Sequence, residues 1–294
     1  MPAKVKISKL AVIGVGLIGG SFALALKKAR AVKHVIGVGR TQRNLALALR
    51  RGIIDEKAMD AVRAVRDADF VFLGTPVGQM AEVMAQIAPH LAAHAVITDG
   101  GSTKQDVIAH ARAGLGVHYA RFVPAHPIAG TERSGAAAAQ ADLYRERNVI
   151  LTPQPETAAG ALRMARTVWQ QCGARVVRLE AREHDEILAA VSHLPHLVAF
   201  ALVNMLTARP NARKLFGFSG GGLRDTVRIA GSSPEMWRDI CLANREALLA
   251  ALQDYAAELG RVRAALEQGD GGALGAMFEH ARAARSKWLL DKRR

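Results

Sequence analysis

Between Lys9 and Ser21 an unbroken apolar run, Leu10-Ala11-Val12-Ile13, gives way to glycines at positions 14, 16 and 19. A short run apolar on both faces reads as a strand buried in a parallel sheet. The alanine- and leucine-rich stretch from Ser21 to Arg30 reads as a helix. Gly14-Val15-Gly16-Leu17-Ile18-Gly19 thus falls where a strand turns into a helix, the setting in which G-x-G-x-x-G carries physical meaning. Gly14 makes the tight turn, Gly16 lets backbone approach a pyrophosphate, and Gly19 lets the helix pack close to the strand. The helix N-terminus contributes unpaired N–H groups and partial positive charge. Gly14, Gly16, Leu17, Ile18 and Gly19 are therefore expected to hold the phosphates of a dinucleotide. The same spacing argues against a secretory signal, although Lys4, Lys6 and Lys9 precede the apolar run.

The alternation continues downstream. Val35–Val38, Phe70–Leu73 and Ala95–Thr98 read as further buried strands, separated by helices over Asn44–Arg51 and Met80–Leu91 and followed by one over Thr103–Arg112. Phe122-Val123, Val149–Leu151 and Val176–Leu179 add shorter ones. Strands alternating with helices imply a sheet covered on both faces. Beyond residue 180 the periodicity becomes helical: Glu183–Leu206, as one helix or a pair kinked at Pro195, then Glu235–Leu259 and Ala273–Leu290. Length agrees, since 294 residues suit two domains. The expected fold is α/β: an N-terminal Rossmann-type, doubly wound parallel sheet over residues 1–180, and an all-helical domain over 181–294. The wide apolar faces around Leu242, Leu248, Leu249, Leu252 and Leu259 call for burial against each other or a second copy of the chain.

The net charge of +14 suggests a polyanion partner until it is located. Residues 1–66 hold 14 basic side chains against Asp55, Glu56 and Asp60; the remaining chain is close to balanced. With few aromatics and no basic-aromatic stripe, a nucleic-acid role is not expected. No later stretch is expected to reach the roughly 20 apolar residues of a membrane span; Leu194–Leu206 is short and carries His196 and Asn204. Two cysteines, Cys172 and Cys241, support no disulfide framework, so a cytoplasmic location is expected.

The end of the second strand bears on cofactor choice. An NAD site usually places Asp or Glu there for the ribose 2′-hydroxyl. This chain has Gly39-Arg40-Thr41-Gln42-Arg43 instead. Arg40, Thr41 and Arg43 offer donors to a 2′-phosphate, though Arg43 equally suits a solvated helix face. NADP is expected to bind at least as well as NAD. Thr75 and Pro76 end the third strand and join the cofactor-facing set.

Several segments resemble the prephenate/arogenate dehydrogenase family. They are Gly14–Ser21, Asp99-Gly100-Gly101-Ser102-Thr103-Lys104, His126-Pro127-Ile128-Ala129-Gly130-Thr131-Glu132-Arg133-Ser134-Gly135, Ser192-His193-Leu194-Pro195-His196, Gly220–Ala230 and Met236-Trp237-Arg238-Asp239. The resemblance runs in order from about residue 8 to about residue 260. It implies oxidative decarboxylation of prephenate to 4-hydroxyphenylpyruvate in tyrosine biosynthesis, with hydride passing to NAD(P). Arogenate dehydrogenase, or a cyclohexadienyl dehydrogenase taking both substrates, is the alternative; a β-hydroxyacid dehydrogenase fits less well. The resemblance also implies a homodimer built on the helical half.

Such chemistry needs a base for the substrate hydroxyl, cations for two carboxylates and a positioned nicotinamide. His126, just past a strand end, is the candidate base, since imidazole is neutral and accepting near neutral pH. Ser102 is implied to hydrogen-bond the same hydroxyl, and is also a candidate N-cap for a helix beginning near Thr103. Arg228 offers a rigid fork for the substrate carboxylate, with Arg224 four residues earlier on the same face if the segment is helical. His196 is implied to recognise the substrate side chain and favours prephenate. Glu132 either takes part in that selection or orients Arg133. His193 suits a structural helix position and Trp237 a packing one. No third ligand accompanies His193 and His196, so no metal is expected.

Overall fold

The structure, a computed structural model, describes residues 5–131 and 133–291. Its main sheet has six parallel strands: β1 (Ile7–Ile13), β2 (Val32–Val38), β3 (Glu56–Ala58), β4 (Phe70–Leu73), β5 (Val96–Asp99) and β6 (Phe122–Val123). Their spatial order is β3-β2-β1-β4-β5-β6, the doubly wound arrangement, which opens a crevice where the winding reverses. The connecting helices are α1 (Leu17–Lys28), α2 (Gln42–Arg50), α3 (Ala61–Val65), α4 (Met80–Ile87) and α5 (Gln105–Gly114).

Strand side chains alternate between the two faces. On one face Phe70 and Phe72 meet Phe22 of α1 and Trp169 of α6 (Ala159–Gln171). The Phe22 and Phe72 rings stack at 4.4 Å, and Trp169 meets Phe22 edge-on at 4.8 Å. On the other face Ala11, Ile13, Val71 and Leu73 join Met80, Met84 and Ile87 of α4.

The later short strands do not extend this sheet. β7 (Ala125–Pro127), β8 (Asn148–Leu151) and β9 (Arg175–Arg178) form a separate three-stranded sheet, with β7 antiparallel to β8. Pro124 is the cause. It has no N–H for the main ladder, and its carbonyl accepts from Thr152 instead, so the chain changes sheets between Val123 and Ala125.

Glu183–Leu206 resolves into α7 (Ala181–Leu188), a π-helical turn at Ala189–His193, and α8 (Leu194–Thr207). Pro195 enters α8 in its first turn, and the wider turn accommodates the missing N–H. Ala181–Thr207 is more apolar than its sequence reading allowed: an 18-residue window within it has a mean hydropathy of 1.7 and meets, by length and composition, what a membrane span requires, with 22% of that window buried. It also buries His184, Asp185 and His193. The short helices α9 (Ala212–Gly217) and α10 (Gly221–Val227) lead to α11 (Pro234–Ala243).

The single helix expected over Glu235–Leu259 is broken. α11 ends at Ala243, Asn244 takes a non-helical conformation, and α12 (Arg245–Gln268) follows. The break is tied down by the Asn244 amide, which donates to the Asp185 carbonyl at 2.7 Å. Tertiary contacts divide the chain after Arg245. In the first unit α11 packs Trp237 and Ile240 onto the sheet layer beside α4. In the second, α12 and α13 (Gly271–Asp291) are joined through Gly269, at φ +65°, and expose Leu249, Leu252, Leu259, Leu266 and Phe278.

Candidate active site

The glycine loop is shaped by what surrounds it. Gly14 has φ +99°, and a Cβ there would lie 2.5 Å from the Gly74 carbonyl group. A Cβ on Gly19 would meet the Gly14 carbonyl oxygen at 2.2 Å. Gly16, by contrast, faces open space, with no protein atom within 4 Å of a built Cβ. The loop carbonyls are pulled backwards: the Asn44 amide donates to Val15 O at 2.7 Å and the Tyr144 hydroxyl to Ile18 O at 2.6 Å. α1 begins at Leu17 with no acid in its first turn. Thr75, past the end of β4, carries a buried hydroxyl with no hydrogen-bond partner among the described residues. An open glycine, an acid-free helix N-terminus and an unpaired donor fit a dinucleotide diphosphate.

At the far end of β2, Thr41 caps α2, its hydroxyl accepting from Asn44 N at 3.3 Å. Arg40 is not idle. Its Nη1 lies 3.1 Å from Glu235 Oε1, an ion pair reaching from β2 to the first turn of α11.

The crevice beyond β5 holds a connected polar centre. Asp99 ends β5 and accepts from Ala125 N and Gly101 N, both at 2.8 Å. It also pairs with Lys104, both side chains wholly buried. Asp99 thus ties the loop bearing Ser102 to the strand bearing His126. α5 starts at Gln105, and its capping acceptor is remote: Asp185 receives Lys104 N at 2.8 Å and Gln105 N at 2.9 Å. Ser102 is therefore not the N-cap, because Asp185 takes the donors a cap would serve. It lies half-buried in the loop.

His126, in the middle of β7, is buried, and its Nδ1 is 2.8 Å from His184 Nε2. His184 Nδ1 is in turn 2.8 Å from Asp185 Oδ1. Burial works against the Asp185 carboxylate, but the His184 ring and the two backbone N–H groups outweigh it and hold its pKa below the usual range. An ionised Asp185 accepts from His184 Nδ1–H, which leaves His184 Nε2 as acceptor for His126 Nδ1–H. This assignment places the His126 lone pair on Nε2. Burial pushes the His126 pKa well below the ordinary 6.5, and His184, Lys104 and His193 push it further. The ring is neutral, a base by default.

His196 lies on α8, half-buried, with Nδ1 donating to Ser192 O at 2.9 Å and its ring stacked on Trp237 at 3.6 Å and 20°. Arg228 is near enough that its charge adds to burial in lowering the His196 pKa. It opens the 3-10 turn Arg228–Gly231, which packs against α8. α10 stops at Val227 and the 3-10 turn begins at Arg228, so Arg224 and Arg228 lie on successive elements; both are exposed. His193 is buried; Asn244 Nδ2 lies 3.1 Å from its Nδ1, and burial pushes its pKa down to about 4. Glu132 lies outside the described residues.

Two family models cover most of this chain. "Prephenate dehydrogenase, nucleotide-binding domain" matches residues 22–178, and "Prephenate dehydrogenase, dimerization domain" matches residues 180–280. The chain belongs to the prephenate dehydrogenase family. Among its relatives, the prephenate dehydrogenase of Bacillus subtilis is 38% identical over 271 residues, covering 92% of this chain and 73% of that protein. The cyclohexadienyl dehydrogenase of Zymomonas mobilis is also 38% identical, covering 96% of each. The crystal structure of the Aquifex aeolicus prephenate dehydrogenase with hydroxyphenyl propionate and NAD+ superposes with a TM-score of 0.89 at 33% identity, covering 97% of this chain and 99% of that one. This member of the family is a dehydrogenase with a nicotinamide-binding Rossmann domain.

Within this site, His184, Asp185, Asn44, Tyr144 and Glu235 were missed by sequence reasoning. One signal was available for two of them. His184 and Asp185 stand four and three residues before Leu188, at core-facing positions of an otherwise charged helix.

Proposed function

We propose that this chain oxidatively decarboxylates prephenate to 4-hydroxyphenylpyruvate with His126 as base, and that it uses NADP+ at least as well as NAD+. The observation that supports this most is the His126–His184–Asp185 chain, which leaves one imidazole nitrogen neutral and unprotonated beside the dinucleotide crevice. When bound, the nicotinamide supplies the hydride acceptor. Gly14, Gly16, Leu17, Ile18, Gly19, Thr75 and Pro76 line its phosphate side, and Arg40 and Thr41 stand at the ribose 2′-position.

As hydride leaves the ring carbon that bears the 4-hydroxyl, His126 Nε2 takes the hydroxyl proton. The resulting imidazolium is stabilised through His184 by Asp185. The ring carboxylate departs as CO2, its bonding electrons complete the aromatic ring, and the proton returns to the oxygen as the phenol. Ser102 hydrogen-bonds the hydroxyl and fixes its direction. Arg228 holds a substrate carboxylate, Arg224 adds positive charge, and His196, braced by Trp237, meets the side chain. Glu132 takes part in side-chain selection. The helical half pairs two copies of the chain.

The second reading, activity on arogenate as well, is favoured by the match along 96% of a cyclohexadienyl dehydrogenase. Absorbance at 340 nm with prephenate and arogenate, each with NAD+ and NADP+, tests both. Rapid growth with prephenate is expected; none with either substrate would overturn the proposal.

A further inference from the structure

We propose that Glu235 sets the cofactor preference of this enzyme, by holding Arg40 away from a 2′-phosphate. The inference rests on the nucleotide reading above and deepens it. The end of β2 lacks the carboxylate that usually meets a ribose 2′-hydroxyl, yet the fold delivers one there from 195 residues away. Both Glu235 oxygens face Arg40 Nη1, at 3.1 and 3.4 Å.

The placement of Glu235 is determined by the rest of α11. Ser233 caps that helix and Pro234 opens it. Trp237 and Ile240 bury its inner face against the sheet layer. Asp239 sits so close to the turn after β4 that a Cβ on Gly78 would lie 2.8 Å from its carboxylate. α11 is thereby fixed against the turn at Val77–Gln79, and its first turn projects Glu235 toward Arg40. The pair is exposed, so it is weak and exchangeable rather than structural.

A 2′-phosphate must do two things at this position. It must draw Arg40 from Glu235, and it must tolerate a carboxylate beside it. A ribose 2′-hydroxyl faces neither requirement and can donate to the same carboxylate. Glu235 therefore narrows the advantage that Arg40 and Thr41 give NADP+, and keeps NAD+ in use beside it.

Direct binding tests this without turnover. Dissociation constants for NADP+ and NAD+ would be measured by calorimetry on the wild type, Glu235→Gln, Arg40→Gln and the double variant, with circular dichroism to check the fold. Glu235→Gln should tighten NADP+ by about three- to tenfold at low salt, an effect that shrinks as salt rises. NAD+ should move by less than about twofold on the scale of an exposed pair. In the Arg40→Gln background the gain for NADP+ should shrink to the part that relief of carboxylate–phosphate repulsion supplies alone. Unchanged or weaker NADP+ binding by Glu235→Gln, beside intact NAD+ binding, overturns the proposal. So does a gain that persists in full without Arg40. A wild type that binds neither dinucleotide overturns the nucleotide reading itself.

Discussion

His126 Nδ1 lies 2.8 Å from His184 Nε2, across 58 residues of sequence, and this contact determines which nitrogen of His126 is available to substrate. Replacing His126 by Asn should lower kcat by roughly 10²–10⁴, the usual contribution of a general base. Asp185→Asn keeps an oxygen acceptor for the α5 N–H groups but no longer fixes the His184 tautomer. Its kcat should fall by about 10²-fold, less than the ~10⁴ seen where an aspartate orients a catalytic histidine directly. KM for prephenate should change little, because no substrate contact is lost. Steady-state kinetics decide: a raised KM with kcat intact would make Asp185 only a helix cap.

The same burial gives the fold a pH dependence. His126, His184 and His193 all have pKa values lowered mainly by burial, His193 to about 4 from an ordinary 6.5. A group with a depressed folded pKa binds more protons when unfolded, so its contribution is full above the unfolded value and is lost as pH falls toward the folded one. Thermal unfolding should show a Tm that is flat above about pH 6.5 and falls steadily toward about pH 4. His193→Gln should flatten part of that slope. A Tm independent of pH over this window would contradict neutral burial of these rings.

Legibility in the sequence followed the range of the interaction. Gly14, Gly16 and Gly19 were readable because a strand–turn–helix imposes its constraints within six residues. The parallel strands were readable because burial on both faces leaves no polar break. Asp185 was not, since Arg182, Glu183 and Glu186 beside it make the segment look like a solvated helix face. Its partners, the N–H groups of Lys104 and Gln105, are 80 residues away and carry no side-chain signature. The cap predicted at Ser102 failed for that reason: local sequence offered a plausible acceptor, and a distant carboxylate took the site. Arg40 was read as a donor for a 2′-phosphate at the end of β2, but Glu235, on a helix that sequence alone joined to α12, was invisible as its partner.

Arg228 is placed to test substrate binding apart from chemistry. Its charge reaches His196, whose ring is held by Ser192 and Trp237. On the proposed role, in which Arg228 holds a substrate carboxylate, Arg228→Ala should raise KM for prephenate by about 10- to 100-fold, with a smaller change in kcat. Arg228→Lys should recover only part of this, because an ammonium lacks the planar fork. An unaltered KM in Arg228→Ala would remove the residue from the substrate site.

The glycines of the first loop should separate folding from binding. Gly14→Ala forces an alanine into φ +99° with its Cβ 2.5 Å from the Gly74 backbone. Strain alone should cost about 1–3 kcal/mol of stability, and the overlap adds to it. Gly16→Ala meets no protein atom within 4 Å, so its unfolding midpoint should match the wild type. The space its methyl group enters is the space assigned to the diphosphate. Gly16→Ala should therefore weaken both NAD+ and NADP+ by at least about tenfold, as expected where backbone must approach the pyrophosphate. Denaturant titration and calorimetry on the two variants check the contrast. A Gly16→Ala protein that binds both dinucleotides as tightly as the wild type would place the phosphates elsewhere.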